Sequence, residues 1–183
     1  MKTRLMILVF SLAALAGSSA FAQTIRANRD VLTDISREVN RYVHFTVFDD
    51  VAASVDEGVV TLHGRVTMPY KKNDLARQVA RVDGVKEVQN EIEVLPVSTF
   101  DDQLRYRIAR AIYGNPTFWH YAAMANPPIH IVVERGHVTL TGVVNSNVER
   151  ALARSLATGF GEFSVKNALK TDAEMKQLLN SVS

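Results

Sequence analysis

Cysteine is absent from all 183 residues. With it go disulfide staples, thiolate nucleophiles and Cys-based metal sites. Tryptophan occurs once and proline five times. After residue 16 no apolar run approaches the roughly 20 residues needed to cross a bilayer. The first 22 residues also lack acids: Lys2 and Arg4 precede an apolar stretch from Leu5 to Ala16, broken only by Ser11, and then Ala20-Phe21-Ala22. A positive start, a short apolar run and an A-x-A pattern predict an export signal over residues 1–22, cleaved after Ala22, and hence a periplasmic protein. No cysteine follows that point, so no lipid anchor is expected.

Removing the signal removes the basic excess. Of 21 Lys and Arg, Lys2 and Arg4 are lost, which leaves 19 against 19 Asp and Glu. Nucleic-acid binders carry a marked basic surplus. A formally neutral chain argues against that class.

What is present is a duplication. Gly58-Val-Val-Thr-Leu-His-Gly-Arg-Val66 matches Gly136-His-Val-Thr-Leu-Thr-Gly-Val-Val144 at Gly, Val, Thr, Leu, Gly and Val. Leu75-Ala76 and Val79-Ala80 answer Leu152-Ala153 and Leu156-Ala157; Gly84, Val88 and Asn90 answer Gly161, Val165 and Asn167. Each copy reads helix, strand, strand, helix, strand. Two-residue turns at Glu57-Gly58 and Arg135-Gly136 pair Val55 with Val60, Ala53 with Leu62, Val133 with Val138 and Ile131 with Leu140. Any one-residue slip would turn these apolar pairs to the wrong face. Gly58 and Gly136 then occupy positions that call for positive φ. Gly64 and Gly142, opposite Val51 and Ile129, are read as room for a closely packed helix.

The helices carry their own signals. Ser146 and Glu149 form a capping box before a stripe of Val148, Leu152, Ala153 and Leu156. Pro69 suits a first turn, with Tyr70, Leu75, Ala76 and Val79 inward and Lys71, Lys72, Arg77 and Arg81 toward water. Thr99 is expected to cap a helix buried through Leu104, Ile108, Ala111 and Ile112, and its counterpart buries Leu32, Ile35, Val39 and Tyr42. Asp172 is expected to cap a final helix with Met175, Leu178 and Leu179 inward. The connection Leu95-Pro96-Val97-Ser98 is too short and stiff to let the copies drift apart.

Two copies with G-x-V-T-L-x-G-x-V, an alanine-rich second helix and a closing G-x3-V-x-N strand resemble tandem BON domains. The resemblance covers nearly the whole chain after the signal. It implies an α+β fold of two αββαβ modules, each a three-stranded mixed sheet with two helices on one face. It also implies a non-catalytic attachment role at phospholipid surfaces or envelope proteins, in osmotic or envelope stress. Module 1 is expected over residues 28–95, module 2 over 99–171, and a helix and tail over 172–183. Module 2 departs from the pattern: some nine extra residues precede its first strand, and Gly161-Glu162 replaces the usual Gly-Val.

The search for chemistry yields little. His44, His63, His120, His130 and His137 form neither H-x3-H nor H-E-x2-H, and the register spreads them as solvent-side residues. Gly159-Phe-Gly-Glu-Phe-Ser164 follows a helix and opens a strand, the reverse of a dinucleotide loop. Asp49-Asp50 and Asp101-Asp102 read as turn and helix-start residues. Neither an enzyme, nor a metal, nor a cofactor is expected. Asn90 and Asn167, inward on their strands, are read as amides holding a nearby loop.

The insertion 113–128 stands apart: it holds four aromatics, Tyr113, Phe118, Trp119 and Tyr121, and no charge. Two uses are open. Phe118 and Trp119 plug a core or the seam between modules, or the four rings form a contact surface. The partner is then a phospholipid surface or an envelope protein; the alternative is a protein-interaction or chaperone-like module without lipid affinity. The outer sheet face of module 2, with His130, Val132, Thr139, Thr141, Val143 and Ala168, is more apolar than that of module 1 and is expected to be covered.

Overall fold

The computed structural model describes residues 16–181, with side chains from 28 to 178. Residues 1–15 of the expected signal lie outside this range, as do the side chains around Ala22 and that of Leu179. The chain is α+β and repeats one unit. Module 1 comprises α1 (Ala16–Arg41), β1 (Asp50–Asp56), β2 (Val59–Val66), α2 (Pro69–Val79) and β3 (Glu87–Val94). Module 2 comprises α3 (Thr99–Tyr113), a 3-10 turn at Pro116–Phe118, α4 (Trp119–Ala122), β4 (Ile129–Glu134), β5 (His137–Val144), α5 (Asn147–Leu156), β6 (Ser164–Asn167) and β7 (Lys170–Thr171), followed by α6 (Asp172–Ser181). In each unit an antiparallel hairpin is extended by a parallel strand that returns through a helix, giving the order β1-β2-β3 and β4-β5-β6. The second sheet gains a fourth strand because its last segment is interrupted after Asn167; β6 and β7 both pair with β5 in parallel.

Both hairpins take the expected register, Val55 opposite Val60 and Val133 opposite Val138. Their turns have positive φ at both central residues, 46° and 87° at Glu57 and Gly58, 50° and 78° at Arg135 and Gly136. That is the pattern whose twist matches the flanking strands. The role expected for Gly64 and Gly142 needs correction. A Cβ at Gly64 would stand 2.1 Å from the Asp50 carbonyl oxygen, and one at Gly142 1.8 Å from that of Pro128. The nearest obstacle to a side chain at these glycines is the backbone entering their own partner strand, where a helix was expected.

Ile35, Leu62, Leu75 and Ile92 centre the core of module 1; Leu104, Ile108, Ile131, Leu140 and Phe118 centre that of module 2. Several helix assignments change. On α2 the buried stripe is Lys71, Leu75 and Val79, while Tyr70 is exposed. The periodicity was met by the neighbouring residue because Lys71 finds a buried carboxylate, described below. Val148 is exposed and Ala157 joins Ala153 inside, which shifts the α5 stripe by one position. Ser98, one residue before Thr99, caps α3 by accepting the Asp101 N–H. Thr171, before Asp172, caps α6 by accepting the Glu174 N–H, and Glu174 answers by accepting the Thr171 N–H.

The modules are joined less by residues 95–98 than by the segment before β1. Phe45 packs on the module 1 core while Phe48 packs on that of module 2 and meets Tyr106 edge-on. Between them the Val47 carbonyl accepts the Ile131 N–H at 2.7 Å, which satisfies a donor on the edge strand β4. Arg65 bridges Glu93 of its own sheet and Glu134 of the other, at 3.3 and 3.2 Å.

Candidate binding surface

The insertion folds as a bracket on the end of module 2. Gly114 ends α3, the Asn115 side chain caps the 3-10 turn by accepting the Thr117 N–H, and α4 follows at once. Tyr113 is half-buried and its hydroxyl donates to the Ile129 carbonyl; burial pushes that phenol well above its ordinary pKa. Phe118 is fully buried in the module 2 core. Tyr121 is buried too; its hydroxyl donates to Glu149 Oε2 at 2.8 Å and accepts the Asn145 N–H at 3.0 Å. Burial, and then the Glu149 carboxylate, push Tyr121 up to about 12.

Trp119 does the opposite. Its ring is 61% exposed while its indole N–H is held by the Gly114 carbonyl at 3.2 Å. On the same bracket Met124 is half exposed, and Val148 stands exposed at the start of α5. Of the four rings named from sequence, then, Phe118 and Tyr121 present no free surface, Tyr113 is engaged at its hydroxyl, and Trp119 faces outward. Residues 118 and 119 are neighbours in sequence, but successive positions on a helical turn point about 100° apart.

The remaining residues singled out by sequence take structural positions. The Asn90 amide donates to the Lys72 carbonyl at 2.9 Å and the Asn167 amide to that of Arg150 at 2.8 Å. Each therefore ties its strand to the second helix of its module, where a loop was expected. His63 and His137 lie on exposed strand positions, and His44 and His120 are exposed beside tyrosine rings. His130 departs from the expected solvent side. It is half-buried against Phe45, its Nδ1 is enclosed without a partner, and the module 1 segment explains the covering. Val132 on the same face is buried, as expected for that face, whereas Ser54, His63, Gln89, Glu91 and Glu93 of module 1 are exposed.

Two features were missed. Asp49, read as a turn residue, is completely buried: its carboxylate accepts from the N–H and hydroxyl of Thr46, the N–H and hydroxyl of Thr67, and Lys71 Nζ at 2.6 Å. The second is a groove of about 280 Å³ between α3 and the loop after α5, lined by Tyr106, Arg107, Arg110, Ala111 and Phe160. The Arg107 guanidinium lies 5.3 Å over the Phe160 ring and donates to the Phe160 carbonyl at 3.4 Å. A sequence signal existed: no Asp or Glu occurs between Asp102 and Glu134.

The family model for the BON domain matches this chain twice, at residues 30–96 and 101–173. The chain belongs to the BON domain family. BON domains are non-catalytic binding modules for membranes or proteins, and the proteins that carry them are typically periplasmic or envelope-associated. No curated protein matches the chain. Seven chains among solved structures do. One is CdsD, a structural protein of the type III secretion system of Chlamydia trachomatis, at 16% identity over 80% of this chain and 97% of that one, with a TM-score of 0.27. Another is the C-terminal domain of CdsD, at 15% identity over 74% and 96%, with a TM-score of 0.26. Overlap this slight says nothing of partners. Among the described residues, no helix of this BON protein is long and apolar enough to cross a membrane.

Proposed function

We propose that this BON protein is an exported periplasmic attachment module, with a signal over residues 1–22 cleaved after Ala22. Its modules span 28–95 and 99–171, ahead of a helix and tail over 172–183. It attaches through the insertion 113–128 to a phospholipid surface or an envelope protein, in the service of envelope integrity under stress. The observation that carries this reading is Trp119, exposed on a bracket whose neighbouring rings are locked into the core. A ring with an apolar body and a polar tip suits a wet boundary. Its support comes already ordered: Phe118 inside and Tyr121 on Glu149 fix the backbone on either side, so little freedom is lost on contact. Tyr113, Phe118 and Tyr121 serve as anchors and Trp119 as the contact.

Trp119 is the only tryptophan, so its fluorescence reports on the contact without labels. Anionic and zwitterionic vesicles, and envelope extract, are titrated in turn. A blue shift and lost quencher access with one kind of vesicle, or retention in a pull-down from extract, is the expected result; Trp119→Ala, followed by vesicle sedimentation and pull-down because it carries no tryptophan, should abolish binding while leaving thermal stability within about 0.5 kcal/mol. Binding to extract alone removes the lipid and leaves the protein-interaction alternative. An emission that nothing moves sinks the attachment surface.

A further inference from the structure

The two modules carry opposite charge. Between residues 28 and 95, twelve Asp and Glu face nine Lys and Arg; between 99 and 171, five face eight, so the modules stand at −3 and +3. In module 2 every acid is engaged. Asp101 accepts the Arg135 and Gly136 N–H groups, Asp102 binds Arg105, Glu134 binds Arg65, Glu149 binds Tyr121, and Glu162 accepts the Gly159 and Phe160 N–H groups. No carboxylate is left for Arg107 or Arg110 in the groove on α3.

Module 1 shows the reverse. On its helices Asp34, Glu38 and Asp74 are each paired with an arginine one turn on. On the outer face of β3, Glu87 and Glu91 are exposed and form no ion pair, and Glu93 shares Arg65. Among the described residues no ion pair joins these two surfaces within the chain, and Arg65 with Glu134 is the pair between modules.

We propose that the groove of Tyr106, Arg107, Arg110 and Phe160 receives the β3 glutamate row of a second copy of this chain. The charges are complementary and sum to nothing over the two modules, which is the balance a self-partnering chain needs. One spacing is commensurate: Glu91 and Glu93, alternate on the strand, stand roughly 6.6 Å apart, against about 5–6 Å for Arg107 and Arg110 one turn apart on α3, and Glu87 extends the row by about 13 Å. Tyr106 and Phe160 supply apolar walls beside the guanidinium groups, as interface centres built on Arg and aromatic rings do. Such a contact joins unlike surfaces, so it closes as a reciprocal pair only if both grooves fill at once.

The test is sedimentation velocity of the purified protein in about 10 mM and about 1 M salt, where screening lengths are about 30 Å and 3 Å. Self-association at low salt, weakened at least about tenfold at high salt, is expected. Arg107→Glu with Arg110→Glu should give a monomer with an unchanged circular dichroism spectrum, and so should Glu87→Lys with Glu91→Lys. Mixing the two variants should restore association, because each then offers what the other lacks. A wild-type protein that stays monomeric at low salt overturns the proposal. So does a groove variant that still self-associates, a mixture that does not associate, or a groove that binds anionic vesicles while the protein stays monomeric.

Discussion

The two modules face one problem at the same place and solve it with opposite charges. In each, the residue before the carbonyl held by the corresponding asparagine, Asn90 or Asn167, turns inward at the start of the second helix: Lys71 beside Lys72, Glu149 beside Arg150. In module 1 the partner is the Asp49 carboxylate, which also takes the Thr67 N–H at 2.8 Å. In module 2 the partner is the Tyr121 hydroxyl, which also takes the Asn145 N–H at 3.0 Å. Both partners come from the segment between first helix and first strand. The duplication thus preserved the geometry of a polar plug while exchanging a buried ion pair for a neutral hydroxyl on a half-exposed carboxylate. The aromatic insertion, however it is used, is also the means by which module 2 closes this corner.

The comparison breaks most visibly at Asp49. Asp49→Ala leaves the buried Lys71 ammonium without its counter-ion, holding the Thr67 hydroxyl alone, and stripping one partner from such a pair costs about 3–5 kcal/mol. Urea unfolding should show that loss; a variant within error of wild type would mean the corner is wet. Gly64→Ala and Gly142→Ala should follow, at about 3 kcal/mol each, because Cβ would stand 2.1 and 1.8 Å from a fixed carbonyl oxygen. Their near-equality tests whether the two hairpins are equivalent. Tyr121→Phe should cost about 1 kcal/mol, less than Asp49→Ala, since it removes one contact to the Glu149 carboxylate while the Asn145 N–H keeps that carboxylate as acceptor at 2.9 Å. A larger loss than at Asp49 would invert the comparison.

The smallest effect distinguishes module 2 by pH. The Thr171 N–H and then Arg150, at 2.8 Å, hold the Glu174 carboxyl below its ordinary 4.5. A depressed carboxyl contributes stability that is present above the unfolded value and is lost as pH falls through the folded one. Docking of α6 should therefore weaken below pH 4.5. Glu174→Gln should flatten that acid limb in a stability–pH series, without touching module 1.

Local rules carried the hairpins far. Alternating apolar residues and glycine at a turn fix register by themselves, and Val55–Val60 and Ile131–Leu140 lie where they require. The same rules failed wherever a distant partner decided. Lys71 belongs outside by type, and only a carboxylate 22 positions upstream makes its burial tolerable. Gly64 was assigned a helix neighbour because sequence shows which face a residue takes but not how near the adjoining backbone runs. In the insertion, composition announced an unusual segment correctly, yet Phe118 and Trp119 differ by one helical step and lie on opposite sides of the surface. The segment 45–49 gave no signal, since its work is divided between two cores and one strand edge.

That segment also makes one amide speak for the whole assembly. Ile131 N–H points off the free edge of β4, and its acceptor is the Val47 carbonyl of the other module. Amides that bond across the hairpin are expected to exchange with deuterium only when module 2 itself opens. Ile131 is released by something smaller, the lifting of residues 45–49. A single slow proton at that position thus times the parting of the two halves while both remain folded.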